Sequence, residues 1–417
     1  MTQAGVVAAY AKHVSQGMAT LAELMNAHVE VRAEGSHIWD EEGTRYLDCG
    51  GYGVFLLGHR HPHVVDSVKR QLDQQGFASR VLLNPRLAEA AQSLAGRAPE
   101  GLEYVFMTNS GAEATELGLK LAKANGAKRI VAMHGGFHGK TNGALSVTGR
   151  PLYRELFEPL LPNVEFIAYG DQDALEQALS VDERSAVIIE PIQAEAGVVI
   201  PYSGYHRDVE RICRERDAFL ILDEIQTGLG RLGVWWGADI EGITPDVMLV
   251  GKILSGGVVP VGAVVATPKA FEALNMDPLI HSSTYSGNPV AMAAVSATLE
   301  AIEREDAVAT AARLGAEIKA LVAGALEEAC GDLVAEVRGL GLLIAVEFKA
   351  DHFAGDFVLE LISRQVIVST SLNTNRVVRL HPSICMSEAD LAWLRDAVHE
   401  SGAAVGTRFG SSVSTEV

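Results

Sequence analysis

The chain has 417 residues, 48% of them hydrophobic and 21% charged, with 53 acidic against 34 basic side chains and a formal net charge of −19. That length supports a large core and a second, smaller domain. So acidic a surface opposes binding to nucleic acid or anionic membrane and would draw in cationic substrates, although acidity equally serves plain solubility. No apolar run reaches membrane-spanning length, and the N-terminus lacks a basic-then-apolar signal pattern. Cys49, Cys213, Cys330 and Cys385 show no metal or redox spacing, so a reducing cytoplasm is the expected location.

In chain order, Met1 to about Asn26 carries a weakly amphipathic pattern that suits an arm packing on a partner. Val29 to Asp48 reads as short strands around a turn at Glu42-Gly43. GGYGVFLLGHRHP then leads into a helix whose first position is Pro62. His59, His61 and His63 alternate as metal ligands on a strand would. Pro62 breaks a strand there and no further ligands cluster nearby, so no metal is expected.

From Val64 to about Glu300, helical patterns alternate with apolar strands at Tyr104–Met107, Ile130–Met133, Val164–Ala168, Ala186–Ile189, Phe219–Leu222, Val247–Val250 and Ala263–Ala266. That alternation predicts an α/β fold, a mainly parallel sheet with helices on both sides. From Ala301 the texture changes: one long helix to about Glu328, a strand-like stretch over 333–348, a helix near Phe357–Arg364, then strands in VIVST and VVRLHP. The expected division is an arm and strands over 1–57, a large domain over 58–300 and a small α+β domain over 301–405. The tail is Gly/Ser/Thr-rich from about Gly402, and 406–417 is expected to be disordered.

The chemistry concentrates where two of the strands end. Phe219–Leu222 and Val247–Val250 do not alternate, as strands covered on both faces do not. Each delivers one ionisable residue, Asp223 and Lys252, to a carboxyl end, where open parallel sheets handle ligands. A carboxylate and an amine placed there suit pyridoxal phosphate: the lysine forms the Schiff base and the aspartate keeps the pyridine nitrogen protonated. The plain alternatives are a helix cap and a surface lysine. A lysine straight after a buried strand, among Gly251, Gly256 and Gly257, argues for a task.

A phosphate anchor is also present. Tyr104–Met107 runs into TNSGAEAT and a helix, so backbone N–H groups at Gly111, the helix dipole and the Ser110 hydroxyl face one point. Taken alone, such a start is usually a cap. The stretch His134 to Thr141 nearly matches a nucleotide P-loop, but its leading glycine would have to stand at His134, so that signature fails. Phe137 and His138 suit an aromatic lid over a planar ring, or equally a loop aromatic plugged into the core.

Taken together and in order, NSGAEAT, GGFHGKT, EPIQAEAGVV, LILDEIQTGLGRLG, GKILSGG and HSSTYSGNP resemble the class III, fold-type I pyridoxal-phosphate-dependent aminotransferases over nearly the whole chain. The resemblance implies that Lys252 is the Schiff-base lysine and Asp223 the partner of the pyridine nitrogen. It implies that Gln226 meets the ring's phenolic oxygen, that Ser110, Gly111 and Ala112 hold the phosphate, and that Phe137 stacks on the ring beside His138. Thr284 would reach the phosphate of a neighbouring subunit's cofactor, which implies a homodimer with its sites at the interface.

Three further residues would concern substrate. Arg379 matches the arginine that clamps a substrate carboxylate, Glu195 the acid that pairs with it when no carboxylate is present, and Tyr52 a substrate contact. Without the resemblance, Arg379 reads as an ordinary strand-end surface residue and Glu195 as a solvated loop acid. Gly251 stands where alanine is common, Ser286 where glycine is, and His381-Pro382-Ser383 where Glu-Pro-Pro is more usual. The last departure lies beside Arg379 and leaves the substrate open.

The implied reaction moves an amino group between a primary amine (a diamine, polyamine or amino sugar) and a 2-oxo acid, with ping-pong kinetics. An epimerase or aminomutase would begin with the same lysine. A regulatory protein built on this fold would carry an attached basic DNA-binding region; none is visible, and the charge opposes it.

Overall fold

The computed structural model describes residues 1–25 and 27–409. The first helices, Gln3–Ala9 and Gln16–Leu24, bury only Ala19 and leave Met18, Leu21 and Leu24 exposed. Next comes an antiparallel meander of β1 (Glu30–Glu34), β2 (His37–Asp40) and β3 (Arg45–Asp48). Asp40 builds the turn between β2 and β3, its Oδ1 accepting the backbone N–H groups of Glu42 at 3.0 Å and Thr44 at 2.8 Å.

The central sheet contains β4 (Tyr104–Thr108), β5 (Arg129–Met133), β6 (Val164–Ile167), β7 (Ser185–Ile189), β8 (Phe219–Asp223), β9 (Val247–Val250) and β10 (Gly262–Ala266). Their order is β4-β10-β9-β8-β7-β5-β6, with β10 antiparallel to both neighbours and the remaining pairs parallel. Each strand lies within a residue of its expected ends. The unbroken apolar runs have a direct cause. Leu220 and Leu222 enter one hydrophobic cluster while Phe219 and Ile221 enter another on the opposite face, so neither face tolerates a polar residue.

The remainder departs from expectation in two places. The single long helix is two, Pro289–Arg304 and Ala307–Cys330. Asp306 separates them in the left-handed region at φ +48°, which aspartate tolerates better than most residues. The last helix, Glu388–Phe409, runs past Gly402 and past the expected start of the disordered tail. Gly402 belongs to a helix-to-helix contact: a Cβ there would stand 3.0 Å from Ala329 Cβ and 3.1 Å from Cys330 Sγ. The glycines that look like a loosening tail therefore permit close packing, and the rest of that expectation, 410–417, lies outside the described residues.

After the hairpin of β11 (Val334–Leu340) and β12 (Leu343–Phe348) come the helix Asp351–Ser363 and three short strands, β13 (Val366–Ile367), β14 (Ser369–Thr370) and β15 (Val377–Leu380). β13 pairs in parallel with β3, whereas β14 and β15 complete a separate sheet, β11-β12-β15-β14. That separate sheet carries Arg379 toward the central one.

Candidate active site

Five parallel strands of the central sheet deliver side chains to one cavity of about 210 Å³. Its lining includes Gly111 past β4, Phe137 and His138 past β5, Glu190 past β7, Asp223 closing β8 and Lys252 past β9. A second cavity, of about 380 Å³, shares Gly111 and Lys252 and adds Asn109 and Ser110. The amine and the carboxylate that end β9 and β8 thus meet in one concavity, at the strand ends where such sheets hold ligands.

Asp223 is buried, and its Oδ2 lies 2.7 Å from His138 Nδ1 while its Oδ1 accepts the Ile225 N–H at 3.0 Å. The His138 backbone is held on both sides: its N–H donates to Thr148 Oγ1 at 3.1 Å and its carbonyl accepts from Thr115 Oγ1 at 2.8 Å. Burial alone would lower the His138 pKa, but the hydrogen bond and charge of Asp223 outweigh it and raise the pKa. The bond to Asp223 adds a role that the reading of His138 as part of an aromatic lid does not include. The ring nitrogen is committed to the carboxylate, because the buried charge of Asp223 needs a partner.

Lys252 opens the short turn Lys252–Ser255 with φ +42°, a strained backbone for a residue with a side chain. Enclosure in the cleft lowers its pKa. Among the described residues its Nζ has no hydrogen bond or ion pair, so the amine is left available.

At the other end of the cavity, Ser110 caps the helix Gly111–Ala124, its Oγ accepting the Glu113 N–H at 3.2 Å. Gly111 is required for packing as well as for its N–H, since a Cβ there would fall 2.8 Å from Ile225 Cδ1. Ile225 was not singled out from sequence, yet it lines the cavity together with Phe137 and gives a flat group an aliphatic wall as well as an aromatic one. Glu190 was also missed. It is buried, its Oε1 accepts the Phe137 N–H at 2.9 Å, and burial pushes its pKa up to about 7. Its signal was the one that marks Asp223, a lone acid straight after a non-alternating apolar run.

Gln226 lines the cavity, with its amide nitrogen 3.1 Å from His381 Nε2. Arg379, in β15, and Glu195, in the loop after β7, form an ion pair of 2.7 Å with only 1% and 6% of their side chains exposed. Their reading as surface residues is thereby overturned. Arg379 also donates from Nη1 to the Ala194 carbonyl at 3.3 Å and from Nη2 to that of Thr370 at 3.0 Å. Glu195 and Arg379 line neither cavity, and neither do Tyr52 and Thr284, which are exposed. His59, His61 and His63 point to three different carboxylates, Asp48 at 2.7 Å, Glu305 at 2.6 Å and Glu300 at 2.8 Å.

An unpaired buried amine, a carboxylate backed by a histidine, opposed Phe137 and Ile225 walls and a glycine at a helix start fit pyridoxal 5'-phosphate. Fold and site together define a fold-type I, pyridoxal-phosphate-dependent enzyme. The family Aminotransferase class-III matches residues 19–401, and the chain belongs to it: it is a pyridoxal-phosphate-dependent aminotransferase. It is 40% identical over 377 residues to the putrescine aminotransferase of Pectobacterium atrosepticum, spanning 87% of this chain and 80% of the relative. An ornithine aminotransferase structure from Toxoplasma gondii, described with partial occupancy of PLP at its active site, superposes with a TM-score of 0.86. It has 31% identity and covers 92% of this chain and 91% of that one. An (S)-enantioselective omega-transaminase from Thermomicrobium roseum gives a TM-score of 0.89 at 29% identity, with 97% and 99% covered.

Proposed function

We propose that this aminotransferase takes the amino group from a cationic primary amine lacking an α-carboxylate, a diamine or polyamine, and passes it to a 2-oxo acid. The carrying observation is the Glu195–Arg379 pair, buried at 2.7 Å beside Lys252. While that pair is closed, the cleft presents no free guanidinium and accepts an amine without a carboxylate. When Glu195 withdraws, the Arg379 fork can take the two oxygens of an oxo acid. The likeness to a putrescine aminotransferase and the −19 charge support the cationic amine.

Lys252 would hold the cofactor, Asp223 its ring nitrogen, Gln226 its ring oxygen, and Ser110, Gly111 and Ala112 its phosphate. When bound, the cofactor supplies an electron sink for the carbon that loses a proton and carries nitrogen between the half-reactions. Lys252 Nζ, its pKa lowered by burial, would be the group that moves that proton. Asp223 would face the ring nitrogen, with His138 Nδ1 steadying the carboxylate from 2.7 Å. Phe137 and Ile225, which line the cavity, would shield the ring from water.

The proposal extends to a homodimer in the cytoplasm. Segments 77–83 and 279–285 pack together through Phe77 and Tyr285 and through Arg80, which donates to the Thr284 carbonyl. Together they expose Val81, Leu82, Leu83, Leu279 and Tyr285, an apolar surface suited to a second copy that would bring Thr284 to the neighbour's site. No helix among the described residues is long and apolar enough to cross a membrane.

A panel of amines offered with 2-oxoglutarate or pyruvate tests the reading. Nitrogen-15 from a diamine should appear in the product amino acid. Solvent deuterium entering unchanged amine, with no nitrogen transfer, would point to epimerisation and overturn it.

A further inference from the structure

His381 follows β15 directly and is buried, with its backbone N–H donating to the Cys49 carbonyl at 2.7 Å. Its Nε2 lies 3.1 Å from the Gln226 amide nitrogen, and its Nδ1 is buried without a partner. Gly53 stands close behind both side chains: a Cβ there would meet His381 Cδ2 at 3.3 Å and Gln226 Cγ at 3.7 Å.

The contact sets nitrogen against nitrogen, so one must donate and the other accept. The charged groups facing the ring are Arg379 on the strand it follows, Arg231 and Lys252. Burial first, and these cations next, hold the His381 pKa well below its ordinary value. The imidazole is therefore neutral and carries a single proton. Were Gln226 the donor, that proton would sit on Nδ1 as a buried N–H with no acceptor. With the amide turned over, Nε2–H donates to Gln226 Oε1 and only a bare lone pair is left unpartnered, the more tolerable of the two defects. Which way an amide faces is settled by its hydrogen bonds, and here they favour the turned form.

We propose that His381 is a positioning residue that donates to Gln226, fixing that amide with its NH2 group toward the cavity as the donor to the cofactor's ring oxygen. This rests on the reading above in which Gln226 meets that oxygen. A glutamate here would accept rather than donate and would draw the NH2 group away from the cavity.

The readout is the pH midpoint of the holoenzyme's visible absorption band. A donor on the ring oxygen stabilises its anion, and losing that donor should raise the midpoint by about one to two pH units. His381→Gln places an N–H at the reach of Nε2 and should titrate like the parent. His381→Asn stops short and His381→Glu accepts, so both should titrate higher. In a Gln226→Leu background none of these substitutions should move the midpoint further. Equal midpoints for His381→Gln and His381→Asn would overturn the proposal. So would a His381→Glu shift that persists undiminished without the Gln226 amide. Should His381→Glu fail to fold, the Gln and Asn variants, which differ by one methylene, decide the matter alone. A parent band that survives borohydride unchanged, or does not depend on Lys252, would overturn the reading of the site itself and the proposal with it.

Discussion

Two buried ion pairs, each 2.7 Å long, lie close enough to Lys252 for their charges to act on it, and they are built differently. Asp223 and His138 both stand at carboxyl ends of the central sheet, with the His138 backbone tied to Thr115 and Thr148. Glu195 stands in a loop after β7 and Arg379 in the other sheet. The Glu195 carboxylate also accepts the Leu372 N–H at 3.2 Å and its backbone carbonyl the Ser371 hydroxyl at 2.6 Å, while Arg379 keeps two backbone carbonyls as alternative acceptors. The proposed function asks the first pair to stay fixed and the second to exchange, with the two carbonyls there to hold Arg379 when Glu195 withdraws. On that proposal, equal length and equal burial conceal different tasks.

Lys252 senses the charges of both pairs and belongs to neither, so the largest effect is expected there. Lys252→Ala should lose turnover completely in a product assay while keeping the parent's thermal stability; normal turnover would remove the centre of the proposed site. Next comes the fixed pair. Removing one member of a buried, hydrogen-bonded charge pair costs about 2–5 kcal/mol. Asp223→Ala should therefore slow both half-reactions alike, by tens-fold or more in stopped-flow absorbance. Loss confined to one half-reaction would show that this pair, too, is exchangeable.

The exchangeable pair should split the half-reactions. Arg379→Ala should impair the oxo-acid half-reaction by tens-fold or more and largely spare the amine. Glu195→Ala, which leaves Arg379 permanently open, should favour amino acids and hurt amines without a carboxylate. Equal losses in both half-reactions of Arg379→Ala would make the arginine structural.

The smallest effect concerns Glu190, whose carboxyl pKa is raised to about 7. A raised carboxyl pKa stabilises the fold below the unfolded value, and that contribution is lost as pH climbs through about 7. Glu190→Gln apoprotein should match the parent in stability near pH 4.5 and exceed it above pH 7, by about 3 kcal/mol at most. A gap that does not change with pH would mean that the carboxyl titrates normally.

The central sheet was legible because burial on both faces leaves apolar runs that no other arrangement produces, and the same runs marked Asp223 and Lys252 by where they stop. The direction of a side chain past a strand end leaves no such trace. The bond from His138 to Asp223 was accordingly not foreseen, and Ile225 and Glu190 were passed over. Periodicity is silent about a contact between Glu195 and Arg379, which lie far apart in sequence; only the resemblance joined them. Gly402 was misread because the composition of a tail and the composition of a close helix contact look alike.

The pairing of β13 with β3 has a consequence for how the protein is made. Val366 lies opposite Leu47, so the N-terminal meander waits for an edge strand encoded more than three hundred residues later. At ordinary translation speeds of about 5–20 residues per second, that is a delay on the order of tens of seconds. Throughout it, β3 emerges from the ribosome with an open edge, the kind of surface that recruits wrong partners. A nascent chain halted before residue 366 should therefore be the species that chaperones hold longest, and the one whose N-terminus proteases clip first.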